Sequence, residues 1–317
     1  MSLRSRSLLR RSCLSVPGSS DRFIAKARDI EADMTFLDLE DSVAPSEKVQ
    51  ARSTIARAIA AGGWDERVLC VRVNAWDTAL TFRDILEVVQ GSGERLDEIM
   101  LPKVQNAAQV VATDLLLTQI ELEAGLEPGH VGLEVQIETT TGLINVEEIC
   151  AASPRVEAVV FGPADFAASM EMPVLTGGVE VPQYPGDHFH YVFSKILMAA
   201  RAAGIQVIDG PYLKIADLEG LRNYALRSAM LGYDGKWAIH PTQVEVLNDV
   251  YRPTQELFDK ACDLLDAYAV ATSDDGRGAV MFGDEMIDEA SRKMALKFRA
   301  RGEKARMVRT SRGTASV

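Results

Sequence analysis

The chain has 317 residues, 47% apolar and 25% charged, the make-up of an ordinary globular protein long enough to bury a full core. Its 46 acidic against 34 basic residues give a formal charge of −12, which speaks against nucleic acid as a general partner. The same balance does not argue against an anionic substrate, because a local cluster of Arg and Lys can invert the field inside one cleft.

In chain order, eight short apolar or β-branched segments recur, each followed by Gly, Pro, Asp or Asn and then by helical spacing. They are CLSV at 13–16, MTFLDL at 34–39, RVLCVRV at 67–73, EIMLP at 98–102, VGLEVQI at 131–137, VEAVVF at 156–161, IQVID at 205–209 and the weaker GKWAI at 235–239. Two of the intervening helical patterns, at 106–125 and 193–204, close on a glycine suited to a C-cap. Strand–helix alternation implies parallel pairing, and eight repeats predict a (β/α)8 TIM barrel over residues 1–250. An open doubly wound sheet is the competitor, but PGSSDR after the first strand supplies one glycine where a dinucleotide fingerprint needs three.

Two stretches break the rhythm. Residues 171–187, rich in Pro and Gly, predict a long loop over the face that carries chemistry. Residues 251–317 predict a small appended C-terminal domain: a helix at 254–272, a DDGRG turn, a short AVMF strand, a second helix across GDEMIDEASRKMALKFRARG with a basic end, and a frayed end from about Val308.

No run approaches the ~20 apolar residues of a membrane span. The first eleven residues hold Arg4, Arg6, Arg10 and Arg11 but no apolar stretch fit for a signal peptide. Cys13, Cys70, Cys150 and Cys262 form no CxxC pair. A cytoplasmic protein with reduced thiols is expected.

In a barrel, chemistry collects at the C-terminal ends of the strands. Those ends carry Glu40 and Asp41, Arg72 and Asn74, Lys103, Glu138, Asp165, Asp209 and His240. Glu138 and Asp165 terminate consecutive strands, and two carboxylates without a histidine suit Mg²⁺ better than zinc. The alternative is that each caps a helix, Glu138 near Gly142 and Asp165 near Phe166. Glu40 and Asp41 read as an outer shell of that site or as a helix-start cluster. Arg72 can pair with these acids or clamp a substrate carboxylate, and the two roles are compatible. His240 holds the last loop or takes part in binding, and Lys103 and Asp209 stand as loop or binding support. Arg22 and Lys26, four apart, form either a phosphate site or a solvated face. His188 and His190 have no companion acid at a standard ligand offset and are weak candidates for a metal.

The segments SVPGSSDRF, FLDLEDSVAPSEK, VRVNAWDT, IMLPKV, QIETTTGL, FGPADFAAS, PGDHFHY, IDGPY, GYDGKWAIHPTQ and GDEMIDEA run in order through nearly the whole chain. In them the chain resembles the malyl-CoA and β-methylmalyl-CoA lyases of the HpcH/HpaI aldolase, citrate-lyase-β-like superfamily. The resemblance implies Glu138 and Asp165 as Mg²⁺ ligands, with Mn²⁺ as a substitute, Glu40 and Asp41 around them, and Arg72 as the carboxylate-binding arginine. It places Arg22 and Lys26 near the phosphates of coenzyme A. Asp288 would be the catalytic aspartate, delivered from a C-terminal lid over the barrel mouth of a neighbouring subunit in a trimer or dimer of trimers. The implied reaction is cleavage of malyl-CoA or β-methylmalyl-CoA to glyoxylate and an acyl-CoA. A citramalyl-CoA lyase, a malyl-CoA synthase and thioesterase, and more distantly a non-catalytic interaction subunit are the alternatives.

Overall fold

A computed structural model describes residues 8–64, 67–175, 184–275, 280–283 and 285–310. The chain divides into two compact units, Met1–Tyr251 and Arg252–Val317.

The first unit is a closed barrel of eight parallel strands in sequential order. The strands are β1 (Ser12–Pro17), β2 (Met34–Asp38), β3 (Val68–Arg72), β4 (Glu98–Leu101), β5 (Gly132–Ile137), β6 (Val156–Phe161), β7 (Gln206–Asp209) and β8 (Gly235–Ala238). Pairing of β1 with β8, Cys13 opposite Trp237, closes the ring and excludes the open sheet. All eight predicted segments are strands, and the predicted glycine caps hold: α4 (Ala107–Ala124) ends at Gly125 and α8 (His190–Ala203) at Gly204, both left-handed. A side chain at those two positions would meet its own carbonyl, which is why glycine stands there.

Two-residue alternation sorts the strands' side chains. Leu69 and Val71 face the helices, whereas Val68 and Cys70 join Met34, Phe36, Met100, Val160 and Trp237 inside the barrel. The next inward positions at the C-terminal rim are therefore polar: Asp38 after Phe36, Arg72 after Cys70, and Gln136 and Glu138 on either side of the outward Ile137. Below the apolar layer the barrel floor is charged. Arg10 is wholly buried, contacts Glu98, and lies 3.4 Å from Glu157, with Glu134 close by. Glu157 reaches the interior because the β5–β6 register slips there, pairing Leu133 with Val156 and Glu134 with Ala158.

The second unit contains α11 (Gln255–Asp275), an antiparallel hairpin of β9 (Val280–Phe282) and β10 (Glu285–Ile287), and α12 (Glu289–Lys304). The second predicted helix began too early. Residues 285–287 are a strand, and the helix starts only after Asp288, whose carboxylate accepts from Ser291 N (3.0 Å) as its N-cap. Val308 to Thr310 are not frayed either: Arg309 pairs with Asp263 and Asp266, and Thr310 Oγ1 donates to Asp259 (2.6 Å). Residues 176–183 of the 171–187 loop, the GRG of the DDGRG turn (276–278) with the first residue of AVMF (279), and Arg4 and Arg6 lie outside the described residues. Among the described residues no helix is long and apolar enough to cross a membrane.

Candidate active site

At the barrel mouth Arg72 is the hub. Its Nε and Nη2 donate to the two oxygens of Asp38, both at 2.7 Å, while Nη1 lies 2.8 Å from Glu40 Oε2 and 3.7 Å from Asp41 Oδ2. Trp237 and Phe36 stack beneath the guanidinium, their ring centres 5.3 and 6.0 Å away. Burial pushes the Asp38 carboxyl up, but Arg72 and the N–H groups of Ser42 and Glu40 more than offset it, and Asp38 stays ionised below its usual range.

Lys48 braces the next turn. Its ammonium donates to Leu39 O (2.8 Å), Glu40 O (2.7 Å) and Asn74 Oδ1 (2.6 Å), and Asn74 is itself held by Asp84. Glu40 is thus fixed through its backbone by Lys48, and its carboxylate lies between Arg72 and Lys103.

Glu138 follows β5 and is 1% exposed. Its Oε1 accepts from Lys103 N (2.7 Å) and Oε2 from Gln136 Nε2 (2.5 Å). A Cβ on Gly162 would lie 2.5 Å from Glu138 Oε2, so the glycine of FGPAD makes the room this carboxylate occupies. Asp165 sits in the first turn of α7 (Pro163–Ser169), its side chain 42% exposed, with Oδ1 3.8 Å from Lys103 Nζ. Burial, then Glu40 and Asp165, drive the Glu138 carboxyl well above its ordinary range.

Neither acid is a helix cap. Thr139 caps α5 (Thr140–Ile144), accepting from Gly142 N, and Gly162 occupies the cap position of α7. Glu40 is no helix-start residue, because α2 (Lys48–Ala60) begins eight positions later. What remains suits a hard divalent cation: each Glu138 oxygen keeps a lone pair, Asp165 is open, and all donors are oxygens. Among the described residues no three His, Cys, Asp or Glu side chains are arranged around one point. A two-carboxylate site of this kind leaves its other positions to water and substrate oxygens.

The structure therefore brings together Glu40, Asp41, Arg72, Lys103, Glu138 and Asp165. It does not bring in Asp209 or His240. Ile208 faces the barrel interior, so Asp209 turns outward, where it pairs with Lys236 (2.7 Å) and accepts from Ser228 (2.9 Å). His240 is exposed and bonds Thr242 Oγ1 (2.8 Å) at the start of α10 (Thr242–Val250). Arg22 and Lys26 lie exposed on α1 (Asp21–Ala27), with no ion pair among the described residues. His188 packs on Phe189, ring centres 4.1 Å apart, away from any metal arrangement. Asp38, Lys48 and Gln136 are site residues that strand-end reading passes over. Inward alternation after Phe36 would have found Asp38.

Comparison with known proteins bears on this arrangement. Residues 11–241 match the model of the HpcH/HpaI aldolase/citrate lyase family, the whole barrel up to its last strand. The chain belongs to that family. It is 42% identical over 288 residues to an L-malyl-CoA/β-methylmalyl-CoA lyase of Cereibacter sphaeroides, covering 88% of this chain and 90% of the relative. It is 33% identical to the citrate lyase subunit beta of Haemophilus influenzae, over 88% of this chain and 92% of that one. Among solved structures, protein CitE from Mycobacterium tuberculosis in complex with magnesium, acetoacetate and coenzyme A is 30% identical. It aligns with a TM-score of 0.70 over 94% of this chain and 99% of that one.

Proposed function

We propose that the protein is a Mg²⁺-dependent carbon–carbon lyase. It reversibly cleaves (S)-malyl-CoA to acetyl-CoA and glyoxylate, or β-methylmalyl-CoA to propionyl-CoA and glyoxylate. The observation that carries this is the buried Glu138 carboxylate, held at the barrel mouth by Lys103 N and Gln136 Nε2 with Asp165 and Arg72 in the same cluster, in a chain 42% identical to a malyl-CoA lyase. Binding of magnesium and coenzyme A by a structural relative supports the cofactor class.

Glu138 and Asp165 would hold the ion, Mg²⁺ or Mn²⁺, which when bound supplies Lewis acidity to the substrate's hydroxyl and carboxylate oxygens. Arg72 spends two of its five N–H groups on Asp38, which locks the guanidinium plane. Its remaining N–H groups can meet the substrate carboxylate and favour negative charge on the departing keto oxygen. In cleavage the hydroxyl gives its proton to solvent, the bond between the hydroxyl-bearing carbon and the carbon alpha to the thioester breaks as the aldehyde C=O of glyoxylate forms, and the electron pair passes to that alpha carbon as a thioester enolate.

Asp288 is assigned the proton at that carbon: it donates in cleavage and removes a proton from the acyl-CoA in synthesis. In the second unit Asp288 is exposed, and the N–H of Ser291 above all holds its carboxyl below the usual range. As a base it gains strength only on desolvation, which fits delivery by a lid over the mouth of another subunit in a trimer or dimer of trimers. Arg22 and Lys26 remain the assigned phosphate contacts. A cytoplasmic location fits the four buried free thiols.

The test is to incubate the protein and Mg²⁺ separately with malyl-, β-methylmalyl- and citramalyl-CoA, following glyoxylate, pyruvate and free CoA together. Stoichiometric glyoxylate without free CoA is expected from the first two. Pyruvate from the third alone would make it a citramalyl-CoA lyase, and free CoA without glyoxylate a thioesterase. Asp288→Asn should abolish turnover while leaving Mg²⁺ binding and thermal unfolding unchanged, because Asn caps a helix as well as Asp does. Normal turnover by that variant would remove Asp288 from the mechanism.

A further inference from the structure

Lys103 stands at a costly place for a lysine. Its backbone is left-handed, with φ 53°, a conformation that glycine adopts freely and that other side chains resist. From there it reaches the acids of the mouth at both ends. Its N–H donates to Glu138 Oε1, and its ammonium lies 2.7 Å from Glu40 Oε1 and 3.8 Å from Asp165 Oδ1. Glycine would preserve the turn and the backbone hydrogen bond but lose the ammonium. The strained backbone is therefore tolerated where the charge is useful.

Among the described residues the other cations of the mouth reach only part of this acid set: Arg72 shares Glu40 with Lys103 but has no ion pair to Asp165. Arg72 is locked on Asp38, and Lys48 is spent on two backbone carbonyls and Asn74. Lys103 is the one whose ammonium spans Glu40 and Asp165.

We propose that Lys103 is the resident counter-cation of the metal site: its ammonium offsets Glu40 and Asp165 before a divalent ion arrives, and so sets how tightly that ion binds. The inference rests on the reading of Glu138 and Asp165 as the ion's ligands. A single charge a few ångströms from a divalent ion opposes it by Coulomb's law, and the opposition is reciprocal. The longer of the two ammonium contacts is the one to Asp165, so an ion can claim Asp165 while Lys103 stays with Glu40. The result is an empty site that remains neutral enough to keep its shape and an ion affinity held below the maximum its acids could give.

The experiment is calorimetric titration of the full-length protein with Mg²⁺ at low ionic strength, comparing wild type with Lys103→Met, Lys103→Gly and Lys103→Arg. Lys103→Met and Lys103→Gly are expected to bind Mg²⁺ roughly ten-fold tighter, with the gain shrinking as salt is added, and Lys103→Arg to stay within about three-fold of wild type. Unliganded Lys103→Met should melt lower than wild type and gain more on Mg²⁺ addition. Folded Lys103→Gly or Lys103→Met that binds Mg²⁺ no tighter than wild type overturns the proposal, and Lys103→Gly serves alone if the Met variant does not fold. Glu138→Gln in the same series separates the two readings. If it binds Mg²⁺ like wild type, the ligand assignment fails first and the inference falls with it.

Discussion

The barrel holds an arginine among carboxylates at each of its two ends, and the ends are wired differently. At the mouth Arg72 meets Asp38 in a two-pronged pair and faces Glu40, while Asp165 opens to solvent and Lys103 spans the acids. At the floor Arg10 is wholly buried with Glu98, Glu134 and Glu157, and both oxygens of Glu134 lack a hydrogen-bond partner among the described residues. Among the described residues both ends carry more acid than base. The mouth leaves the excess where an ion and a substrate can arrive; the floor buries it, and there Glu134 is driven toward its protonated form. Burial first, then Glu98, push the Glu134 carboxyl up to about 8 despite Arg10.

The same kind of substitution at the two ends should break in two different ways. Arg72→Lys is expected to lower turnover by roughly 10²–10³-fold, since a single ammonium cannot both pair with Asp38 and clamp a carboxylate. Arg10→Met should cost roughly 3–5 kcal/mol of stability by stranding buried acids, with turnover per folded molecule within two-fold of wild type. Urea denaturation alongside glyoxylate release measures both. A floor variant that is stable but inactive would collapse the distinction.

A smaller effect tests the floor's proton. Glu134 has a folded-state pKa raised above its unfolded value, so its contribution is full below about pH 4.5 and is lost as pH rises through about 8. Stability should fall across that window with a slope of up to about 1.4 kcal/mol per pH unit. Glu134→Gln should flatten it, as read by denaturation midpoints at pH 5, 6.5 and 8. An unchanged slope would place the proton elsewhere. The smallest effect belongs to the exposed pair: Arg22→Ala with Lys26→Ala should raise KM for the CoA thioester several-fold, with kcat untouched and the difference fading in salt. A KM that does not move would return the pair to the solvated face.

Much of the barrel is legible because each strand is an apolar run cut by Gly, Pro, Asp or Asn, and that punctuation survives without any knowledge of closure. Glu138, Asp165 and Arg72 are legible for a related reason: a charged residue at, or within a few positions of, the end of an apolar strand must find a partner. What escapes is which way a residue faces. Asp38 hides within the run FLDL and is revealed only by counting inward from Phe36, while Asp209 ends its strand as Glu138 follows its own yet points to the helix layer. The floor escapes entirely, because Arg10 meets residues 88 and 147 positions away, the second of them turned inward at a register slip that no local pattern encodes. In the second unit EMI reads as helix by composition, and only the N-cap at Asp288 shows where the helix begins.

The central claim is that chemistry belongs to the mouth and depends on Glu138. It is tested most directly by glyoxylate release from malyl-CoA by folded Glu138→Gln, after chelation and again after Mg²⁺ is restored. Wild type is expected to recover and Glu138→Gln to release none at either step; release by the variant that survives chelation would contradict the assignment of Glu138.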